Sequence, residues 1–347
     1  MYSRNSGCRI TSDITISGNR AVMMENQKLR LIFLADRGMD CIELLYKPED
    51  IDFMWRSPVK LHKRSEYMST TGDSLGNYLD HNSGGWQEIL PNGGGQCFYK
   101  GACLGMHGEI SNVPWEVQIV KDEAEEVALR ACITTLRSPF RLEKEISLKS
   151  GESCITISER LVNLAEEPMD LMWGHHPTVG KPFLDGSCRI YTNGAVGFTM
   201  EEQDFETQRM KAGSRFKWPS AENGEDMSAV PAEGAKTADM VYITDFPRDA
   251  WYRVYNENRQ LSYGMSWDGT QFPYMWMWLV CGGSYGYPWY GRTYNLALEP
   301  WTSYPSAGLE NALKNGSALQ LQAHEERSTQ LCFWIEKGEN KDAFEKS

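Results

Sequence analysis

Residues 170–181 read DLMWGHHPTVGK and set two of the chain's six histidines side by side. Imidazole is the side chain whose charge changes nearest neutral pH, which makes such a pair a candidate for proton transfer or metal binding. The preceding residues, MDLMWG, have strand character, and successive side chains of a strand point to opposite faces. If the strand continues to Pro177, His175 and His176 cannot share a pocket. A residue before proline is held extended, so His176 has the restricted backbone and is expected to face a site. His175 is expected to pack into the fold.

Two other stretches carry proton-transfer residues beside Gly or Pro. In CLGMHGEISNVPWEV (103–117), His107 stands between Met106 and Gly108, where glycine permits a close approach of ligand or backbone. His107 and Glu109 are two apart and would face the same way in an extended segment, although a solvated Glu109 in a tight turn is the simpler reading. In YNLALEPWTSYPSAG (294–308), Glu299 ends an apolar run and precedes Pro300, Trp301 and Tyr304. A carboxylate so placed is partly desolvated, which raises its pKa toward that of a general base near neutrality.

Aromatic residues gather around this glutamate, from Phe272 to Tyr304. Trp276 and Trp278 alternate in a strand and share a face, for which core is the default. The segment GGSYGYPWYGR (282–292), with Trp289, is too rich in glycine for a core strand. Rings on a loop near a candidate base suit a sugar, whose C–H faces stack on them while its hydroxyls find polar partners.

The elements that must position these groups are strands. In CITISERLVN (154–163), Ile155, Ile157, Glu159, Leu161 and Asn163 fall on one side, and RLEKEISL (141–148) alternates similarly. Comparable runs occupy 29–35, 39–46, 115–122, 126–135, 251–255, 261–267, 274–280 and 328–336. Many short strands separated by Gly, Asn, Asp and Pro predict an all-β antiparallel architecture. SAGLENALKNG (306–316) predicts a short helix capped by Ser306 and ended at Gly316. The polar stretch 201–238 is expected to be a loop inserted in one domain spanning 1–347, since both flanks look like parts of one β architecture.

Composition excludes several classes. The net charge of −12, without runs of one sign, argues against nucleic acid or an anionic membrane as partner. The start lacks an apolar signal core, no run is long enough for a membrane helix, and nine scattered cysteines predict reduced thiols. A cytoplasmic protein is expected.

Taken together, the HG histidine, the histidine before Pro and the late LEP glutamate resemble, in order and spacing, the aldose 1-epimerase (galactose mutarotase) family. GGWQEILPNGG (84–94) is similar to its Gly-rich segment before the first histidine, and LRLIFLADRGMDCIELLYK (29–47) to its opening. The resemblance spans most of the chain and implies a β-supersandwich with few short helices. It also implies interconversion of the α and β anomers of a free monosaccharide, without cofactor or metal. In that reading Glu299 is the base on the anomeric hydroxyl, His176 the acid on the ring oxygen, and His107 a hydrogen-bond partner near it. Asp239 in TADMVYI maps to a hydroxyl-binding aspartate, with Asp245 and Asp268 as rivals. Trp301 and Trp289 are expected at the sugar.

One departure stands out. The family often carries an arginine shortly before the HG histidine, and this chain has none from Ser65 to Leu129. Asn92, Gln96, Lys100 or Arg292 are the candidate substitutes. Two alternatives are a non-catalytic sugar binder of the same fold, because a fold does not fix an activity, and a cupin-like metalloenzyme using His107, Glu109 and His176.

Overall fold

The computed structural model describes residues 4–63, 65 and 72–338. Two antiparallel sheets dominate. In the twelve-stranded sheet, the central strands lie in the order Trp86–Ile89, Gly174–Val179, Tyr294–Trp301, Tyr274–Cys281 and Thr237–Thr244. The eight-stranded sheet runs from Cys188–Thr192 at one edge to Glu116–Asp122 at the other, with Phe140–Lys149, Cys154–Asn163 and Glu326–Lys337 inside. The all-β antiparallel expectation holds, and the predicted strands appear with ends shifted by one or two residues.

Period-two patterning explains the packing. In Cys154–Asn163 the buried residues are Ile155, Ile157, Glu159, Leu161 and Asn163, the face foreseen from the sequence. Leu296 and Leu298 of the large sheet meet Leu142, Ile157 and Phe333 of the smaller one in a continuous core. Each buried leucine or isoleucine contributes roughly 1.5–3 kcal/mol by leaving water.

That core contains a four-cornered polar bridge. Glu88 and His175 are cross-strand partners in the large sheet, and Lys144 and Glu159 are partners in the smaller one. Lys144 Nζ donates to Glu88 Oε2 at 2.9 Å, and His175 Nε2 lies 3.1 Å from Glu159 Oε2. Trp173 Nε1 donates to Glu88 Oε1 at 2.8 Å. All four corners are buried, so each charge depends on its partner. Burial acts to raise the Glu88 carboxyl, but Lys144 and His175 hold it below the ordinary value. Burial and the nearby Glu88 push Glu159 up to about 7. His175, opposed by burial, is raised by Glu159.

Helices are few and short. Asp73 caps Ser74–Leu79, its side chain accepting from the Gly76 amide at 2.6 Å. In Leu309–Asn315 the N-cap is Gly308 rather than the expected Ser306, while Gly316 ends the helix in a left-handed conformation. Ser306 Oγ instead lies 3.1 Å from the Tyr242 hydroxyl.

The 201–238 stretch is not bare loop. Arg215–Lys217 pairs with Val196–Phe198, which also pairs with Thr237–Thr244, so both flanks belong to the same sheet. Cys154 and Cys332 face each other on neighbouring strands with their sulfurs close enough to pair, and the other seven cysteines are free. No helix among the described residues is long and apolar enough to cross a membrane.

Candidate active site

His175 and His176 lie on a strand, Gly174–Val179, that does run through Pro177. Their side chains therefore part: His175 enters the polar bridge between the sheets, and His176 emerges on the opposite face of the large sheet. There it lines a cavity of about 400 Å³ together with His107, Glu299, Trp276, Trp278 and Trp289.

Strand pairing builds the centre of this cavity. Tyr294–Trp301 lies beside the histidine strand, bringing Glu299 next to His176, whose Nε2 is 3.6 Å from Glu299 Oε1. The second carboxylate oxygen, Oε2, accepts from Trp301 Nε1 at 2.9 Å. The Trp301 ring is held by stacking on Trp276, with centroids 3.9 Å apart. Gly174 makes this possible, since a Cβ there would stand 2.2 Å from Trp301 Cδ2. Thr178 Oγ1 lies 3.0 Å from His176 Nδ1 and fixes the imidazole from behind.

His107 arrives on a turn, with φ of 53°. Its ring packs 4.6 Å from that of Tyr78 and edge-on to His176 at 5.6 Å. The Gly94 amide donates to His107 Nδ1 at 3.2 Å, which leaves Nε2 to carry the proton of a neutral ring. Asn92 fastens this loop, donating to the carbonyls of Gly95 and Gly105 at 2.8 Å and accepting from the Leu309 amide at 2.7 Å.

Burial sets the protonation states. It pushes Glu299 up to about 8, against the opposing Trp301 hydrogen bond. It also drives His176 down to about 4 and, with His176 beside it, holds His107 well below the usual histidine range. Between about 4 and 8, therefore, the Glu299–His176 pair carries one proton. Such a pair presents one donor and one acceptor to a bound molecule.

The remaining sequence candidates separate. Trp289 lines the cavity, whereas Trp301 lies behind it as the partner of Glu299. Asn92 is buried as the loop fastener, and Gln96 faces a neighbouring groove of about 460 Å³. Asp239 lies outside the cavity lining, because Arg209 donates through its amide and Nε at 2.8 and 2.7 Å. Its rivals also fall elsewhere, Asp245 in an exposed turn and Asp268 in a turn with Thr270. None of the four candidate arginine substitutes lines the cavity: besides Asn92 and Gln96, Lys100 pairs with Glu167 and Arg292 folds over Tyr290. Trp276 and Trp278 share a face, as expected, but it is the cavity face rather than the core between the sheets.

Glu109 does not join the histidines. It accepts from the Leu136 and Arg137 amides at 2.8 and 3.1 Å and from Ser138 Oγ at 2.9 Å. The metal triad His107, Glu109 and His176 is thus not assembled. Among the described residues, metal-ligand spacing occurs at Glu88, Glu159 and His175, where Lys144 already supplies a cation.

Sequence reasoning missed Tyr78, Asp204, Phe205 and Met240 as cavity residues. Asp204 and Phe205 lie in the polar insertion, and no periodic signal marks them. The length of that insertion was the available hint.

Comparison with known proteins adds the family. A family model described as a domain of unknown function, DUF4432, matches residues 16–335. The chain belongs to the DUF4432 family. No match was found among curated proteins. Among solved structures, a Klebsiella pneumoniae protein provisionally described as an aldose 1-epimerase shares a TM-score of 0.71 at 17% identity, covering 94% of this chain and 82% of that one. A galactose mutarotase-like protein from Clostridium acetobutylicum gives 0.64 at 16% identity, with coverage of 95% and 99%. A galactose mutarotase related enzyme from Lactobacillus acidophilus gives 0.60 at 15%, with coverage of 91% and 97%. This DUF4432 chain therefore has the galactose mutarotase-like β-sandwich fold.

Proposed function

We propose that the protein is an aldose 1-epimerase-type isomerase that interconverts the anomers of a free aldopyranose. The observation that carries this reading is the 3.6 Å approach of His176 Nε2 to Glu299 Oε1 in one aromatic-walled cavity. Mutarotation requires a base at O1 and an acid at O5 of one hemiacetal, and a one-proton pair supplies both.

The pair's single proton rests on Glu299, and its transfer to His176 yields the reactive form, in which the Glu299 carboxylate takes the O1 proton while the C1–O5 bond breaks and O5 receives a proton from His176. Rotation about C1–C2 turns the carbonyl, and O5 then adds to its other face. Its proton returns to His176, and Glu299 gives one back to O1. His107 Nε2–H donates toward the ring oxygen and steadies its developing charge. Trp301 holds the Glu299 carboxylate in place. Trp278 and Trp289 offer flat apolar surface to the sugar's C–H face.

The test is polarimetry of freshly dissolved α-D-glucose and α-D-galactose, or exchange NMR on an aldose panel. Catalysed equilibration is expected, with kcat/KM level between about pH 4 and 8 and falling outside that window. Below it the pair lacks a base and above it an acid. No acceleration by the purified protein across the panel would overturn the reading.

A further inference from the structure

We infer that Asp204, carried into the cavity by the polar insertion, is the residue that holds the substrate's ring hydroxyls and selects neutral sugars over anionic ones. The inference rests on the mutarotase reading for its substrate class and concerns a different part of the cavity from the proton-transfer pair.

Four observations support it. Asp204 lines the cavity that contains Glu299, His176 and His107, and Phe205 stands beside it. Its carboxylate is exposed on the cavity lining, with no hydrogen-bond or ion-pair partner among the described residues, and partial desolvation there raises it to about 6. The segment that carries it is held at two points. Thr207 Oγ1 donates to the Gly283 carbonyl at 2.8 Å, and Arg209 is locked to Asp239. Finally, no lysine or arginine belongs to the described cavity lining, and with Glu299 held neutral the Asp204 carboxylate is the anionic group of that lining.

The chemistry follows from this placement. A carboxylate without a partner accepts hydrogen bonds well, and adjacent sugar hydroxyls are donors matched to its two oxygens. A phosphate or carboxylate on the sugar would meet like charge in a site with no cation to offset it. The expected hydroxyl-binding aspartate, Asp239, thus acts one step back: its ion pair with Arg209 anchors the segment that presents Asp204.

The test pairs enzyme and sugar variants in direct binding and in turnover, using D-glucose, D-galactose, their monodeoxy analogues and D-glucose 6-phosphate. Asp204→Ala and Asp204→Asn should weaken sugar binding and raise KM roughly 10- to 100-fold, as expected for hydrogen bonds to a charged group. Values of kcat should change less than about threefold, and Asp204→Glu should restore part of the affinity. At least one deoxy analogue should lose affinity against the parent protein and lose none against Asp204→Ala, a coupling that a merely structural role would not produce. The parent should discriminate against glucose 6-phosphate.

Unchanged sugar affinity in Asp204→Ala, or deoxy penalties that persist in it, would overturn the inference while leaving the mutarotase reading intact. Asp204-dependent sugar binding without any turnover would overturn the mutarotase reading and leave the carboxylate's role standing. A parent protein that binds none of the neutral sugars would overturn both.

Discussion

Glu299 and His176 differ in charge type but are driven the same way, each toward its neutral form, because burial penalises any net charge. Removing either side chain's titration should be decisive. Glu299→Gln or His176→Ala should lower kcat by about 10²–10⁴ while the protein stays folded, as judged by near-UV circular dichroism. Trp301→Phe is the finer probe. It removes the indole N–H that lowers the Glu299 pKa but keeps a ring to stack on Trp276. The alkaline limb of the pH–rate profile should move to higher pH, and a limb that stays in place would show that the Trp301 hydrogen bond does not tune the carboxylate.

At the scale of elements, the histidine strand is held from both sides. His176 is backed by Thr178, and His175 is tied through Glu159 to the smaller sheet. The opposite diagonal depends on Lys144, whose ammonium offsets the buried Glu88. Lys144→Met would leave that carboxylate without its cation and should destabilise the fold by about 3–5 kcal/mol, read as a lower unfolding midpoint in urea. A loss below about 1 kcal/mol would mean that Glu88 does not depend on Lys144 in this way. These elements also show what the sequence made legible. The parity of residues 154–163 placed Glu159 inward, and the proline after His176 announced its extended backbone. Both signals are local. The Arg209–Asp239 pair spans 30 residues, and the Glu88–Lys144 pair spans 56. Nothing in either neighbourhood identifies its partner. Tyr78 was hidden for another reason: its helix is six residues long, too short to show a periodic face.

For the whole molecule, the shifted groups add to a pH dependence of stability. Asp40, Glu159 and Glu299 have folded-state values of about 7, 7 and 8, all raised first by burial above the ordinary carboxylate range. Across the interval between unfolded and folded values, the native state binds more protons than the unfolded chain. Stability from these groups is therefore present in mild acid and lost as pH rises toward 8. Glu88, shifted downward, works in the opposite sense at lower pH, and so do His176 and His107, held below the ordinary histidine value of 6.5, so that the three carboxyls outweigh two histidines below that pH and act unopposed by them above it. The unfolding temperature should fall from about pH 5 to pH 8, and Glu299→Gln should flatten that slope. A midpoint that climbs over the same range would contradict the assignment of these carboxyls as protonated when folded.

The adjacent imidazoles have an evolutionary corollary. Because neighbouring positions of one strand serve opposite sides of the sheet, a single-codon insertion or deletion between Met169 and Gly174 would exchange their destinations unless the strand slipped to compensate. One event would then remove an interior contact and a reactive group together. Lineages should consequently tolerate substitutions along this segment far more readily than changes in its length.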